Sequence, residues 1–242
     1  MASTSSDPSH STARALAIAV FVAAIAFAVV PFFANPFSGF EPGRFPEPVD
    51  NPPIQPAGWA FSIWGVIYLW LIAGTGFGLL KRADAPAWEP HRPWALVSLV
   101  VGAAWIPIAN ASPVWATILI LVMLVTAVMA MVKLPRTDVA WGRWPFGLYA
   151  GWLTAASFVS LATLAAGYGV MTAALASWIA LPAALIVAAF VTLRHGTPTY
   201  PAAAAWGAFG IAVVNWPTLY AMTAAAGALL LLVLAVRALA RR

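Results

Sequence analysis

Residues 57–80 of the 242-residue chain, AGWAFSIWGVIYLWLIAGTGFGLL, contain no charged side chain and are followed at once by Lys81 and Arg82. A helix crossing a hydrocarbon core of ~30 Å needs ~20 mostly apolar residues, so this stretch reads as a membrane span. Working outward, seven further stretches qualify or nearly do, at about 14–33, 93–110, 113–132, 146–167, 170–193, 201–216 and 218–237. The seventh is short, but 201–237 is too long for one span, and Pro217 divides it into a tight hairpin. The composition agrees: 63% of residues are apolar and 8% charged, where a soluble domain has about 25% charged. Twelve Lys and Arg with seven Asp and Glu cannot cover a water-facing surface of this size. The expected fold is an all-α integral membrane protein with eight transmembrane helices.

Positive charge tests that count, because Lys and Arg collect in cytoplasmic segments. With the N-terminus inside, the cytoplasmic segments hold Arg14; Lys81, Arg82 and Arg92; Lys133, Arg136 and Arg143; Arg194; and Arg237, Arg241 and Arg242, leaving only Arg44 of the 12 Lys and Arg outside. Gaining or losing one internal span would scramble this partition, so both termini are expected in the cytoplasm. Residues 1–13 read as a polar disordered tail. The first span could instead be a signal peptide, but its apolar run exceeds the 7 to 15 residues usual there. A net charge of +5 would suggest nucleic acid in a soluble protein; here the basic residues are orientation signals, and no nucleic-acid partner is expected. High Ala, Pro and Trp content with this inside-positive bias suits a bacterial cytoplasmic membrane.

The spans carry no Asp, Glu, Lys, Arg or His well inside them; His10, His91 and His195 lie in the tail or in loops. Proton pumps, ion-coupled transporters and voltage sensors need ionisable groups within the bilayer, so those mechanisms are not expected. Acid-base and nucleophilic catalysis lack their usual groups there, and no catalytic residue, metal site or cofactor is assigned. There is no cysteine, which removes disulfides and thiolate ligands. A loop site built on Asp84, Glu89 and His91 is the alternative, although such residues usually mark a solvated loop.

The 13 tryptophans are the unusual feature. Trp88, Trp94, Trp115, Trp141, Trp144 and Trp216 lie near span ends, where indoles settle among lipid headgroups. Trp64, Trp70, Trp105, Trp152 and Trp178 lie deeper. Phe61, Trp64 and Tyr68 follow i, i+3, i+7 spacing on the second span, and Tyr149, Trp152, Ala156 and Ser160 share a face of the fifth. At 1.5 Å per residue through a ~30 Å core, Tyr68, Trp105 and Trp152 fall ~16, ~14 and ~20 Å below the outer edge. Rings at a common level could line a flat-walled pocket for a planar or polycyclic ligand, or simply fill the core. In the pocket reading, Trp64 and Trp152 stack on the ligand, Tyr68 and Tyr149 bond its polar edge, and Ala156 leaves room.

At these residues the chain resembles the tryptophan-rich sensory protein family, also called the translocator protein or peripheral benzodiazepine receptor family. Pro56-Ala-Gly-Trp-Ala-Phe-Ser-Ile-Trp-Gly-Val-Ile-Tyr68 is similar to the family's Pro-Pro-Gly-Trp-x-Phe-x-Pro-x-Trp-x-x-x-Tyr; Trp105-Ile-Pro107 and Leu148-Tyr-Ala-Gly-Trp-Leu-Thr-Ala-Ala156 match on the third and fifth spans. The matching motifs cover roughly residues 14 to 165. The resemblance implies a five-helix bundle over 14–167; the outer loop at 34–56 is Pro-rich and reads as a lid, and the three helices over 168–242 are an extension with no counterpart in the five-helix family. It also implies a cavity for tetrapyrroles and sterol-like molecules, walled by Trp59, Phe61, Trp64, Tyr68, Trp105, Tyr149, Trp152 and Ala156. The chain departs from the family where Trp59 and Trp64 stand five apart rather than six, where Gly102 takes an Asn position, and where Val159-Ser160 replaces Leu-Asn. The outer loop sets Glu41, Glu47 and Asp50 against Arg44, which disfavours a dianionic porphyrin and favours an uncharged or weakly charged apolar ligand. The expected function is a sensor or facilitator of movement for such a molecule, in contact with the lipid bilayer, with a homo-oligomer allowed. The alternatives are an integral membrane enzyme on an apolar substrate and a structural membrane subunit.

Overall fold

The computed structural model describes residues 8–34, 37 and 39–241. Eight helices succeed one another: α1 (Pro8–Val29), α2 (Ile63–Arg82), α3 (Arg92–Ala111), α4 (Pro113–Lys133), α5 (Arg143–Gly167), α6 (Ala173–His195), α7 (Thr199–Asn215) and α8 (Leu219–Ala240). The described residues include no strand. Seven of the helices are long and apolar enough to cross a bilayer, and the exception is α7, at 17 residues. Its length of ~26 Å lies at the short end of the range that can cross a hydrocarbon core, so the all-α membrane fold of eight helices stands, with α7 the shortest of them. Residues 8–13, expected in a disordered tail, belong to α1. Residues 1–7 of that tail lie outside the described residues.

The helix boundaries follow from local chemistry. Ser112 Oγ accepts from the Trp115 backbone N–H at 3.3 Å, Thr172 Oγ1 from Leu175 at 3.2 Å and Thr218 Oγ1 from Ala221 at 3.2 Å, capping α4, α6 and α8. Pro93 and Pro113 open α3 and α4, where a missing N–H costs nothing. Gly196 closes α6 in the left-handed region at φ 63°, a conformation in which a Cβ would be strained. Within the spans, the hydroxyls of Thr75, Thr117, Thr126, Thr154, Thr163 and Thr192 donate to carbonyls one turn earlier, so no water is needed to satisfy them.

Helices α1, α2, α5, α4 and α3 pack side by side in that order and close a ring, since α3 also packs on α1. Helices α6 and α7 pack on α5, and α8 lies against both. The chain ends alternate as the charge pattern requires. At the basic end, Arg82 pairs with Asp138 at 2.8 Å, and the buried Arg92 guanidinium donates to the carbonyls of Ala13, Arg82 and Ala83 at 2.7, 2.8 and 2.7 Å. At the other end the loop before α2 is tied down by Glu47 N–H to Gly167 O at 2.9 Å, Ile54 N–H to Ser177 Oγ at 3.3 Å and Asn215 Nδ2 to Pro53 O at 2.8 Å.

Helices α5 and α7 approach closely because small residues line their contact. A Cβ on Gly151 would run into the Tyr200 backbone, and one on Gly147 would meet Thr197 and Thr199. The Tyr200 and Thr154 hydroxyls share a 2.6 Å hydrogen bond across the same seam. Without a hydrophobic drive between helices in lipid, this backbone proximity is what makes the pairing favourable. Gly151→Val is expected to wedge the two helices apart and cost on the order of 1–3 kcal/mol, read as a lower melting temperature in detergent.

His91 is buried before α3, edge-on to Trp88 and facing Phe146, beside Arg92. Burial first, and the Arg92 charge second, push its pKa down to about 4, against a hydrogen bond to the Trp88 backbone that acts the other way. An unfolded His takes a proton near pH 6.5 while the folded one refuses it, so stability is full above that pH and falls as pH drops toward 4, at about 1.4 kcal/mol per pH unit. Melting curves between pH 7 and 4.5 should show this loss, and His91→Gln should flatten it.

Candidate functional site

The entry to α2 decides which aromatic residues meet. Residues Gly58–Ser62 form a tight 3-10 turn before α2 begins at Ile63. Trp59 in that turn faces outward, 42% exposed, with its ring 4.9 Å from that of Trp206 and 5.8 Å from that of Phe209 on α7. Trp206 Nε1 in turn donates to Ala60 O at 2.8 Å, which pins α7 to the turn. One helical turn on, Trp64 and Tyr68 stack at 5.3 Å with 19° between their planes. Phe27 of α1 meets both edge-on, at 5.7 and 5.0 Å, and Trp152 of α5 stands edge-on to Trp64 at 6.3 Å and to Phe61 at 5.7 Å.

These rings do not fill the space between the helices. They bound a cavity of ≈ 500 Å³ inside the five-helix ring. Of the residues expected at the site, Phe61, Trp64, Tyr68, Trp105, Trp152 and Ala156 line it. Trp59 and Tyr149 do not. Tyr149 lies one layer behind, fully buried against Phe27 and Trp64 at 5.4 and 6.3 Å. Its hydroxyl sits 3.1 Å from Ser98 Oγ, which also donates to Met123 O at 2.9 Å, so Tyr149 braces the wall and joins α3, α4 and α5.

Trp105 is fixed from outside the cavity, since its Nε1 donates to Ala116 O at 2.9 Å, and Phe37 of the outer loop meets its ring edge-on at 4.9 Å. Trp152 Nε1 is buried with no hydrogen-bond partner among the described residues. The outer loop roofs the cavity with Phe37, Phe40, Gln55 and Pro56, and Phe32 at the end of α1 lines it while 84% exposed, which marks a mouth at that corner. No described lining residue carries a charge; Tyr68, Ser160, Thr163 and Gln55 supply the side-chain polarity. Among the described residues no group of three His, Asp or Glu stands where it could hold a metal.

The sequence had pointed to the α5 face, and continuing its spacing from Ala156 through Ser160 reaches Thr163. Phe27, Ile120 and Met123 carried no signal, because an apolar residue in a span looks the same whether it faces lipid or a void. Gly207 and Ile211 of α7 also line the cavity, so one of the C-terminal helices contributes to its wall. Gly102 has a local cause: a Cβ there would come within 2.6 Å of the Phe27 ring, which occupies the space an Asn side chain would need.

A ring of apolar helices around an aromatic cavity defines a polytopic integral membrane protein. The family model described as TSPO-like protein matches residues 14–237, and the chain belongs to that family. The match extends beyond the motifs of the first five spans and takes in α6, α7 and most of α8. No curated protein and no solved structure matches the chain at a significant level. Because Ala156 borders empty space, Ala156→Phe is expected to fold with an unchanged or higher melting temperature while reducing the cavity, in contrast to the loss expected at Gly151.

Proposed function

We propose that the protein binds an uncharged or weakly charged, planar or polycyclic hydrophobic molecule in the aromatic cavity and senses it or facilitates its movement. Membership of the TSPO-like family supports a membrane protein with a ligand-binding or transport-related role. The single observation that carries the finer reading is a ≈ 500 Å³ void walled by Phe61, Trp64, Tyr68, Trp105 and Trp152, with no charged lining residue among those described. A charge brought into such a space would lose its hydration without a partner, whereas a flat apolar ring system exchanges water contact for ring contact. Trp64 and Trp152 bound the ligand's faces, Tyr68 and Ser160 offer hydroxyls to a polar edge, and Ala156 keeps the space open. Tyr149 and Trp59 act on the site only through the walls they brace. A bacterial cytoplasmic membrane is the setting that the composition and charge bias suggest.

Intrinsic tryptophan fluorescence tests this reading. Protoporphyrin dimethyl ester, which has no carboxylates, should quench at lower concentration than the diacid, and sterols should compete with it. Trp64→Leu should weaken binding up to about tenfold, the scale of one lost aromatic contact, while Trp59→Leu outside the cavity leaves it unchanged. Equal weakening in both variants, or tighter binding of the diacid, would rule the reading out.

A further inference from the structure

The chamber has a smaller neighbour. Residues of α5, α6, α7 and α8, with Ile54 of the outer loop, surround a second void of ≈ 20 Å³. Ile54, Leu181 and Leu231, which line it, are 1%, 2% and 1% exposed, so it lies in the interior of the bundle. Thr154 brings the one polar side chain among its described lining residues. That hydroxyl is already engaged, with Ala150 O at 2.9 Å and the Tyr200 hydroxyl at 2.6 Å. A space of this size admits one water or one methyl group, and without a free polar partner a water gains nothing by entering.

The void survives because the helices around it are already in contact elsewhere. On α7, a Cβ at Gly207 would stand 2.9 Å from the Ala155 Cβ, so α7 cannot close further on α5. On α8, a Cβ at Gly227 would run into the Leu185 side chain, so α8 cannot close further on α6. The side chains that could fill the gap are the alanines Ala184, Ala204 and Ala208. Ala155, Val159 and Ile211 border both this void and the ≈ 500 Å³ chamber, which makes the two neighbours across one layer of side chains.

We propose that the small void is a side pocket of the chamber that takes a compact saturated branch of the ligand, with the ring system remaining among Trp64, Tyr68 and Trp152. This rests on the chamber being a ligand site, and it narrows the ligand to a hydrophobic ring system carrying a short alkyl group. A bare ring leaves the void empty, and its lining atoms then lack contacts on one side. An alkyl branch reaching past Val159 and Ile211 supplies those contacts and leaves water in doing so. Helices α6 and α8 thereby act on ligand choice without touching the chamber.

Pyrene and 1-ethylpyrene are the probes, read by their quenching of tryptophan fluorescence and corrected for partition into detergent. On the full chain the ethyl compound should bind about tenfold more tightly than pyrene, the scale of one alkyl group in a fitted apolar pocket. Ala208→Val, which fills the void from α7, should reduce that ratio to about twofold or less. Ala184→Val fills it from α6 and serves if the first variant is unstable. Trp64→Leu should weaken both probes and leave the ratio standing. A ratio near one on the full chain, or a ratio that survives both filling variants, would overturn the side pocket. Quenching by neither probe would instead strike the chamber reading, and the side pocket with it.

Discussion

The structure depends on α5 being held from two sides at once. One side meets α2 and α4 and closes the five-helix ring; the other meets α6 and α7, whose approach is set by Gly147 and Gly151 lying against the α7 entry. In lipid no hydrophobic force pushes helices together, so these close backbone contacts and the Thr154–Tyr200 hydrogen bond carry weight that burial would carry in water. With α5 fixed, Trp152 and Ala156 are fixed. The rest of the ring can then arch around a void instead of collapsing into it.

That void persists because its walls are stiff. Edge-on contacts among Phe27, Trp64, Tyr68 and Trp152 hold each ring by its neighbours, and Tyr149 with Ser98 supports them from behind. Trp105 is held by Ala116 from outside. The lid is anchored through Glu47, Pro53 and Ile54 to α5, α7 and α6, so the C-terminal helices help to hold the roof as well as supplying Gly207 and Ile211 to the wall. Of the three C-terminal helices, α7 lines the chamber and α6 and α7 hold the loop above it.

Much of the fold was legible because lipid imposes few and strict rules. Long apolar stretches and basic residues on alternate connections gave the helices and their order to within a few residues. The short α7 was visible as a short apolar run ended by Pro217. The site was legible in part. Phe61, Trp64 and Tyr68 share a face by period and meet in space, whereas Trp59 turned away because a 3-10 turn, not an α-helix, precedes Ile63.

By itself, the sequence determined an all-helical membrane bundle, its alternation of ends, and which rings share a face of each span, because periodicity and charge are properties of one segment at a time. Only the tertiary structure decided that Tyr149 backs the wall while Phe27 forms it, that α7 closes the chamber, and that a space of ≈ 500 Å³ remains. Those outcomes arise between segments. A leucine or phenylalanine facing lipid and one facing a void obey the same rules along the chain, and only the distance between neighbouring helices distinguishes them.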